Sequence, residues 1–134
     1  MRPYRSKAGR DAVYALLLEH AGCGPFDGCC FVFAQALKSL LGGELQVIEG
    51  RFCGLSGEPV AQHAVLRLAD GRLADGSGIA DSPRLVRRFI RDEGFGRLEV
   101  TGVRPYRATD LPEAIRDDVL AARLARLLAE HYLG

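Results

Sequence analysis

The spacing of apolar residues changes character twice along the chain, and it predicts an order of elements before any chemistry is considered. From Arg10 to Ala21 the text RDAVYALLLEHA carries apolar residues at helical spacing and stops at Gly22, Gly24 and Pro25, which predicts a first helix. The nine residues before it, MRPYRSKAG, are polar and basic and read as a loose lead-in. After the turn-like stretch GCGPFDG a second helix is expected over about 28–41. Asp27 is placed to accept from its free first-turn N–H groups, and Gly42 and Gly43 stop it. Its apolar residues Phe33, Ala34, Ala36, Leu37, Leu40 and Leu41 cover most of its circumference, so this helix is predicted to be central.

From Glu44 onward the pattern shortens to β-like runs. ELQVIEGRF is the first, and the glycine-containing segment CGLSGEP separates it from AQHAVLRLADGRLADGSG. The latter reads as a hairpin: His63, Val65 and Arg67 alternate with Ala64, Leu66 and Leu68 up to an Asp70-Gly71 turn. Ser82 as cap and Pro83 at the first helical position open a helix to about Asp92. RLEVTGVRPY is a further strand, and a closing helix is expected from Thr109 to about Tyr132. The order α-α-β-β-β-α-β-α predicts an α+β domain, with N-terminal helices packed on an antiparallel sheet and a further helix at the C-terminus.

Composition narrows the classes of function. A chain of 134 residues is one domain's worth, and 48% hydrophobic with 26% charged residues is an ordinary globular balance. A formal net charge of +1 gives no broad electrostatic case for nucleic acid or a membrane surface as partner. The longest apolar run, Ala12 to Leu18, is far short of the roughly 20 residues that span a bilayer. With no secretory signal pattern at the start, a cytoplasmic protein with reduced thiols is expected. Asn is absent, so a mechanism that needs an Asn side chain is excluded.

Four cysteines (Cys23, Cys29, Cys30 and Cys53) and His63 are the candidate chemistry. A thiol in the first turn of a helix faces unpaired N–H groups and the positive end of the helix dipole, which favour the thiolate and make a nucleophile. The same N–H groups can stabilise an oxyanion, and an imidazole can carry the proton a leaving group needs. Asp75 follows His63 by twelve residues. Residues of the hairpin whose numbers sum to about 140 or 141 should pair, which puts Asp75 opposite roughly Leu66. That leaves it about three residues short of His63, on the order of 10 Å along the ladder, so a bulge, twist or other register would have to join them. Helical periodicity does not choose between Cys29 and Cys30, since both faces are apolar.

Taken together, GCCFVFAQAL and QHAVLRLADGRLADGSG resemble small bacterial and phage domains of the papain-like/transglutaminase-like cysteine-hydrolase superfamily. Gly28, Cys30, Phe33, Ala34, Ala36 and Leu37 match that group's helix-start phrase; His63, Asp70, Gly71 and Asp75 match its strand phrase. The resemblance spans about residues 27–78. It implies Cys30 as nucleophile, His63 as general base and then acid, and Asp75 as the residue that orients the imidazole. It further implies a peptide or other amide-containing substrate (an amide, isopeptide or thioester bond) and no metal or organic cofactor. The oxyanion would then rest on the backbone N–H of Cys30 and an amide of the loop at 22–28.

Two other classes compete with this expectation. One is a catalytically inactive binding module on the same fold. The other is a small zinc protein drawing on Cys23, Cys29, Cys30, Cys53, His20 and His63, whose spacing lacks the usual C-x2-C pairs. The arginines of RLVRRFIR (Arg84, Arg87, Arg88 and Arg91) form either a basic strip for an acidic partner or a solvated helix face.

Overall fold

The structure is a computed structural model that describes residues 3–54 and 57–132. Met1 and Arg2 of the lead-in, and Leu55 and Ser56 of the segment between the first two strands, lie outside the described residues. Helices α1 (Lys7–Ala21) and α2 (Cys30–Leu41) come first, then strands β1 (Glu44–Phe52), β2 (Val60–Arg67), β3 (Leu73–Asp75) and β4 (Gly78–Ala80). Helix α3 (Ser82–Asp92), strand β5 (Leu98–Pro105) and helix α4 (Asp118–His131) complete the chain. The strands form one sheet in the order β4-β3-β2-β1-β5, with every neighbouring pair antiparallel. The α+β class, the antiparallel sheet and the C-terminal helix are as expected. No helix among the described residues is long and apolar enough to cross a membrane.

Side-chain alternation along the central strands divides the interior into layers. Leu66 and Ala74 point towards α1, α2 and α4 and join a core with Val13, Leu17, Phe33, Leu37, Leu124 and Leu128. Val65 and Leu73, one residue out of phase with them, join Ile48, Leu98, Leu85 and Phe89 against α3. Helix α2 is the buried centre foreseen from its composition, with Val32, Phe33, Ala34, Ala36 and Leu37 all shielded from solvent. Full burial of a side chain such as Phe33 or Leu37 contributes about 1.5–3 kcal/mol.

Four local expectations fail, each for a physical reason. The lead-in is not loose, because Ser6 caps α1 by accepting from Gly9 N at 3.0 Å, and Tyr4 packs edge-on between Tyr14 and Tyr132. Asp27 does not cap α2; its carboxylate folds back to accept from Gly24 N, and the helix starts two residues later at Cys30. Asp81, not Ser82, caps α3, with Arg84 N donating to it at 3.0 Å. Residues 109–117 are not helical. Leu111 precedes a proline, which disfavours helical backbone, and takes a positive φ of 50°. Helix α4 then starts at a new cap, Asp117, which accepts from Leu120 N at 2.9 Å.

Strand β4 was missed altogether. The Gly76-Ser77-Gly78 stretch reads as the end of a hairpin, yet it is a turn into one more three-residue strand.

Candidate functional site

The site is assembled where the loop before α2 meets the strands β2 and β3. Gly24 O accepts from Cys29 N at 3.1 Å, and the resulting turn sets the Cα atoms of Cys23 and Cys29 6.0 Å apart, within disulfide reach. The two form a disulfide, which corrects the expectation of reduced thiols throughout. It also separates the adjacent cysteines: Cys29 is bonded, whereas Cys30 is a free and buried thiol at the first position of α2. Gly28, at φ 136°, provides the backbone bend that only glycine tolerates readily just before the helix. Cys53 is free and exposed.

His63 and Asp75 meet more directly than the sequence arithmetic allowed. Leu66 pairs with Ala74 and Arg67 with Leu73, so the sum is 140 and Asp75 extends the ladder opposite Val65. His63 lies two residues from Val65 on the same face, which makes the pair diagonal neighbours within side-chain reach. His63 Nε2 and Asp75 Oδ2 are 3.0 Å apart, with no bulge between β2 and β3. The bulge lies instead on the other side of β2. Ile48 pairs with His63 but Glu49 with Ala61, leaving Gln62 as an extra residue that locally turns the strand beside the imidazole.

The imidazole is held from both faces. Phe26 stacks on one side with ring centres 5.2 Å apart, and Phe89 of α3 stacks at 4.7 Å, leaving His63 only 1% exposed. Nε2 is engaged by Asp75, whereas Nδ1 is buried with no hydrogen-bond partner, and the ring lies close enough to Cys30 to act on the ionisation of its thiol. Burial alone would raise the Cys30 pKa; the hydrogen bond and charge of His63, with the backbone N–H groups of Ala64 and Phe31, more than reverse this and lower it. Burial would likewise depress His63, but hydrogen bonds to Asp75 and Cys30 outweigh it and push the imidazole up to about 9. Asp75 is opposed by burial and held low by His63 and Ser77. These directions favour a thiolate–imidazolium pair backed by a carboxylate.

Asp75 is itself positioned by residues that the sequence reading passed over. Ser77 donates to Oδ1 from its backbone N at 2.8 Å and from its hydroxyl. Tyr132 OH donates to the Asp75 carbonyl at 2.8 Å, so the end of α4 is tied to the same turn. Arg88 Nη1 donates to Ser77 O at 3.2 Å from α3. The loop carrying Phe26 presses on this turn closely enough that a Cβ at Gly76 would lie 2.8 Å from Pro25. An Asp followed two residues later by Ser in a glycine-flanked turn is a side-chain turn signature, so Ser77 was legible; the Phe26 and Phe89 stacking was not.

The other wall of the site comes from residues 106–117. Ile115 N donates to Gly28 O at 2.9 Å, and Leu111 packs with Cys30, Ala34, Val47 and Ala64. Arg116 lies 4.9 Å over the ring of Phe31 and donates to Tyr106 OH at 2.8 Å. Behind Asp75 a small cavity of about 70 Å³ is bounded by Phe26, Asp75, Ser77, Arg88, Phe89, Asp92 and Glu93.

Of the donors that a zinc site would gather, Cys23 and Cys29 are bonded to each other, His63 pairs with Asp75 and His20 with Arg123, which leaves Cys30, buried, and Cys53, exposed, as the free thiols. Among the described residues no group of three or more His, Cys, Asp or Glu side chains is arranged to hold a metal ion. Comparison of the chain with protein-family models, with curated proteins and with solved structures returns no match.

Proposed function

We propose that this domain is a cysteine-dependent hydrolase or acyl transferase of the papain-like/transglutaminase-like kind, acting on an amide, isopeptide or thioester bond. The observation that carries the reading is the buried His63–Asp75 pair at 3.0 Å, beside a helix-start thiol, Cys30, whose pKa the imidazole lowers. In this mechanism the Cys30 thiolate attacks the carbonyl carbon. First-turn N–H groups of α2 accept the charge that develops on oxygen, as free helix N-termini can. The His63 imidazolium gives its proton to the leaving amine or thiol, and the neutral ring then takes one from water or an acceptor amine to release the acyl group. Asp75 keeps the ring oriented and stabilises its charged form.

A non-catalytic binding module on the same fold draws support from one observation: Cys30 is only 7% exposed, so little of the thiol meets solvent. Intact-mass spectrometry after mixing the protein with a panel of small peptide amides and peptide thioesters separates the two. A covalent acyl adduct on the wild-type protein, absent from a Cys30→Ala variant of unchanged melting temperature, is the expected result. Absence of adduct and of turnover across both substrate types leaves the binding module standing.

A further inference from the structure

Helix α3 separates its residues sharply. Leu85 and Phe89 are buried against the sheet, while Arg84, Arg87, Arg88 and Arg91 recur at i, i+3, i+4 and i+7. In three dimensions these four arginines line a single groove of about 610 Å³. A chain whose formal net charge is only +1 thus concentrates four guanidinium groups on one face. Among the ion pairs of the described residues only Arg91 of the four takes part, with Asp92 at 2.7 Å. Arg88 keeps Nε and Nη2 out of water with no hydrogen-bond partner, although its Nη1 is used.

An open apolar patch adjoins the groove and shares Arg87 and Arg91 with it; Ile90, Phe95 and Gly96 complete it. Phe95 is 83% exposed; its φ of 52° belongs to the turn 94–97 that ends α3, closed by Arg97 N donating to Gly94 O at 2.8 Å, and that turn holds the ring out beside the arginines.

We propose that this face of α3 docks an acidic polypeptide segment, two or more of its carboxylates meeting Arg84, Arg87 and Arg91 and a neighbouring apolar side chain resting on Phe95 and Ile90. The guanidinium fork matches a carboxylate in two-point geometry, which suits side-chain carboxylates. Arg84 and Arg91 are separated by about 10 Å along the helix, the span of roughly three extended residues, which sets the length of the recognised segment. The proposal stands apart from the cysteine chemistry, since it requires no reaction at Cys30.

Fluorescence anisotropy with the full chain and a labelled decapeptide alternating Glu and Leu tests it directly. A peptide alternating Lys and Leu and a single-stranded oligonucleotide of similar charge serve as comparisons. The Glu-Leu peptide is expected to bind, to weaken as salt rises, and to lose at least tenfold in affinity in an Arg84→Glu, Arg87→Glu double variant with an unchanged melting temperature. Phe95→Gly, which removes the ring from a turn position that glycine readily takes, is expected to weaken binding several-fold without destabilising the fold. Equal binding by the charge-reversed variant, no binding of the Glu-Leu peptide, or tighter binding of the oligonucleotide each overturns the proposal.

Discussion

Substituting His63 by Gln tests the link between the imidazole and the reactivity of Cys30. Gln retains an N–H donor for the Asp75 carboxylate yet carries no charge, so it spares the fold the unpaired buried carboxylate that Ala would leave. What it removes is the set of influences from His63 that lower the Cys30 pKa, while the burial that raises it remains. A thiol at the ordinary 9.0 is on the order of 0.1% ionised at pH 6. Each tenfold loss of thiolate is partly offset, because a more basic thiolate is roughly threefold more nucleophilic. Alkylation of Cys30 at pH 6 is therefore expected to slow about threefold for each unit by which the thiol's pKa rises, with its pH inflection moved upward.

Iodoacetamide labelling followed by peptide mapping measures this, since the peptide containing the Cys23–Cys29 disulfide and Cys30 gains label only at the free thiol. The low exposure of Cys30 slows wild type and variant alike, so their ratio carries the information. A ratio below two, with the same inflection in both proteins, refutes the reasoning. It would mean that the imidazole beside Cys30 does not govern the thiol.

Two further outcomes follow from the same geometry. Ser77→Ala removes the hydroxyl donor to Asp75 Oδ1 but keeps the backbone one, and is expected to lower stability at pH 7 by about 1.5 kcal/mol, read from urea denaturation; a loss under about 0.3 kcal/mol would make the hydroxyl contact incidental. The stability-versus-pH profile has a defined sign as well. His63, raised from 6.5 to about 9, loses its contribution as pH rises through that window, whereas lowered Cys30 gains one as pH rises towards its ordinary 9.0. Above the folded pKa of Cys30 the two cancel. Stability should fall from about pH 6.5 only as far as the folded pKa of Cys30 and then stay level to about pH 9; a fall that continues to pH 9 with no level stretch, at the full slope of about 1.4 kcal/mol per pH unit for one proton, overturns the pairing.

How much of this was legible in the sequence depends on whether the deciding interaction is local. Strand β1 emerges with the same bounds as its text, and the Asp70-Gly71 turn fixes the hairpin register at a sum of 140, because a tight turn and alternating side chains leave little freedom. The start of α2 was misplaced by two residues for a reason of competition. Asp27 had a closer donor in Gly24 N, and the turn it closes is the one that brings Cys23 and Cys29 together. No spacing rule separates that disulfide from two reduced thiols, since the decision rests on a turn geometry that the side chains settle among themselves.

The meeting of Cys30, His63 and Asp75 shows the same division. That Asp75 and His63 share a face follows from parity, once the register is taken as 140 and not 141. At 141, Asp75 lies opposite Leu66 and on the wrong side of the sheet from His63, which is why the pair looked about 10 Å apart and in need of a bulge. The stacking of Phe26 and Phe89 on the imidazole belongs to a different category, because those rings arrive from a loop and a helix far along the chain. Yet that packing gives the site its electrostatics. By excluding water from His63 it penalises the charged ring, and by the same exclusion it strengthens the contacts with Asp75 and Cys30 that overcome the penalty. The sequence carries the three chemical residues, but the dry surroundings that strengthen the His63–Asp75 contact come from the two aromatic rings stacked on the imidazole.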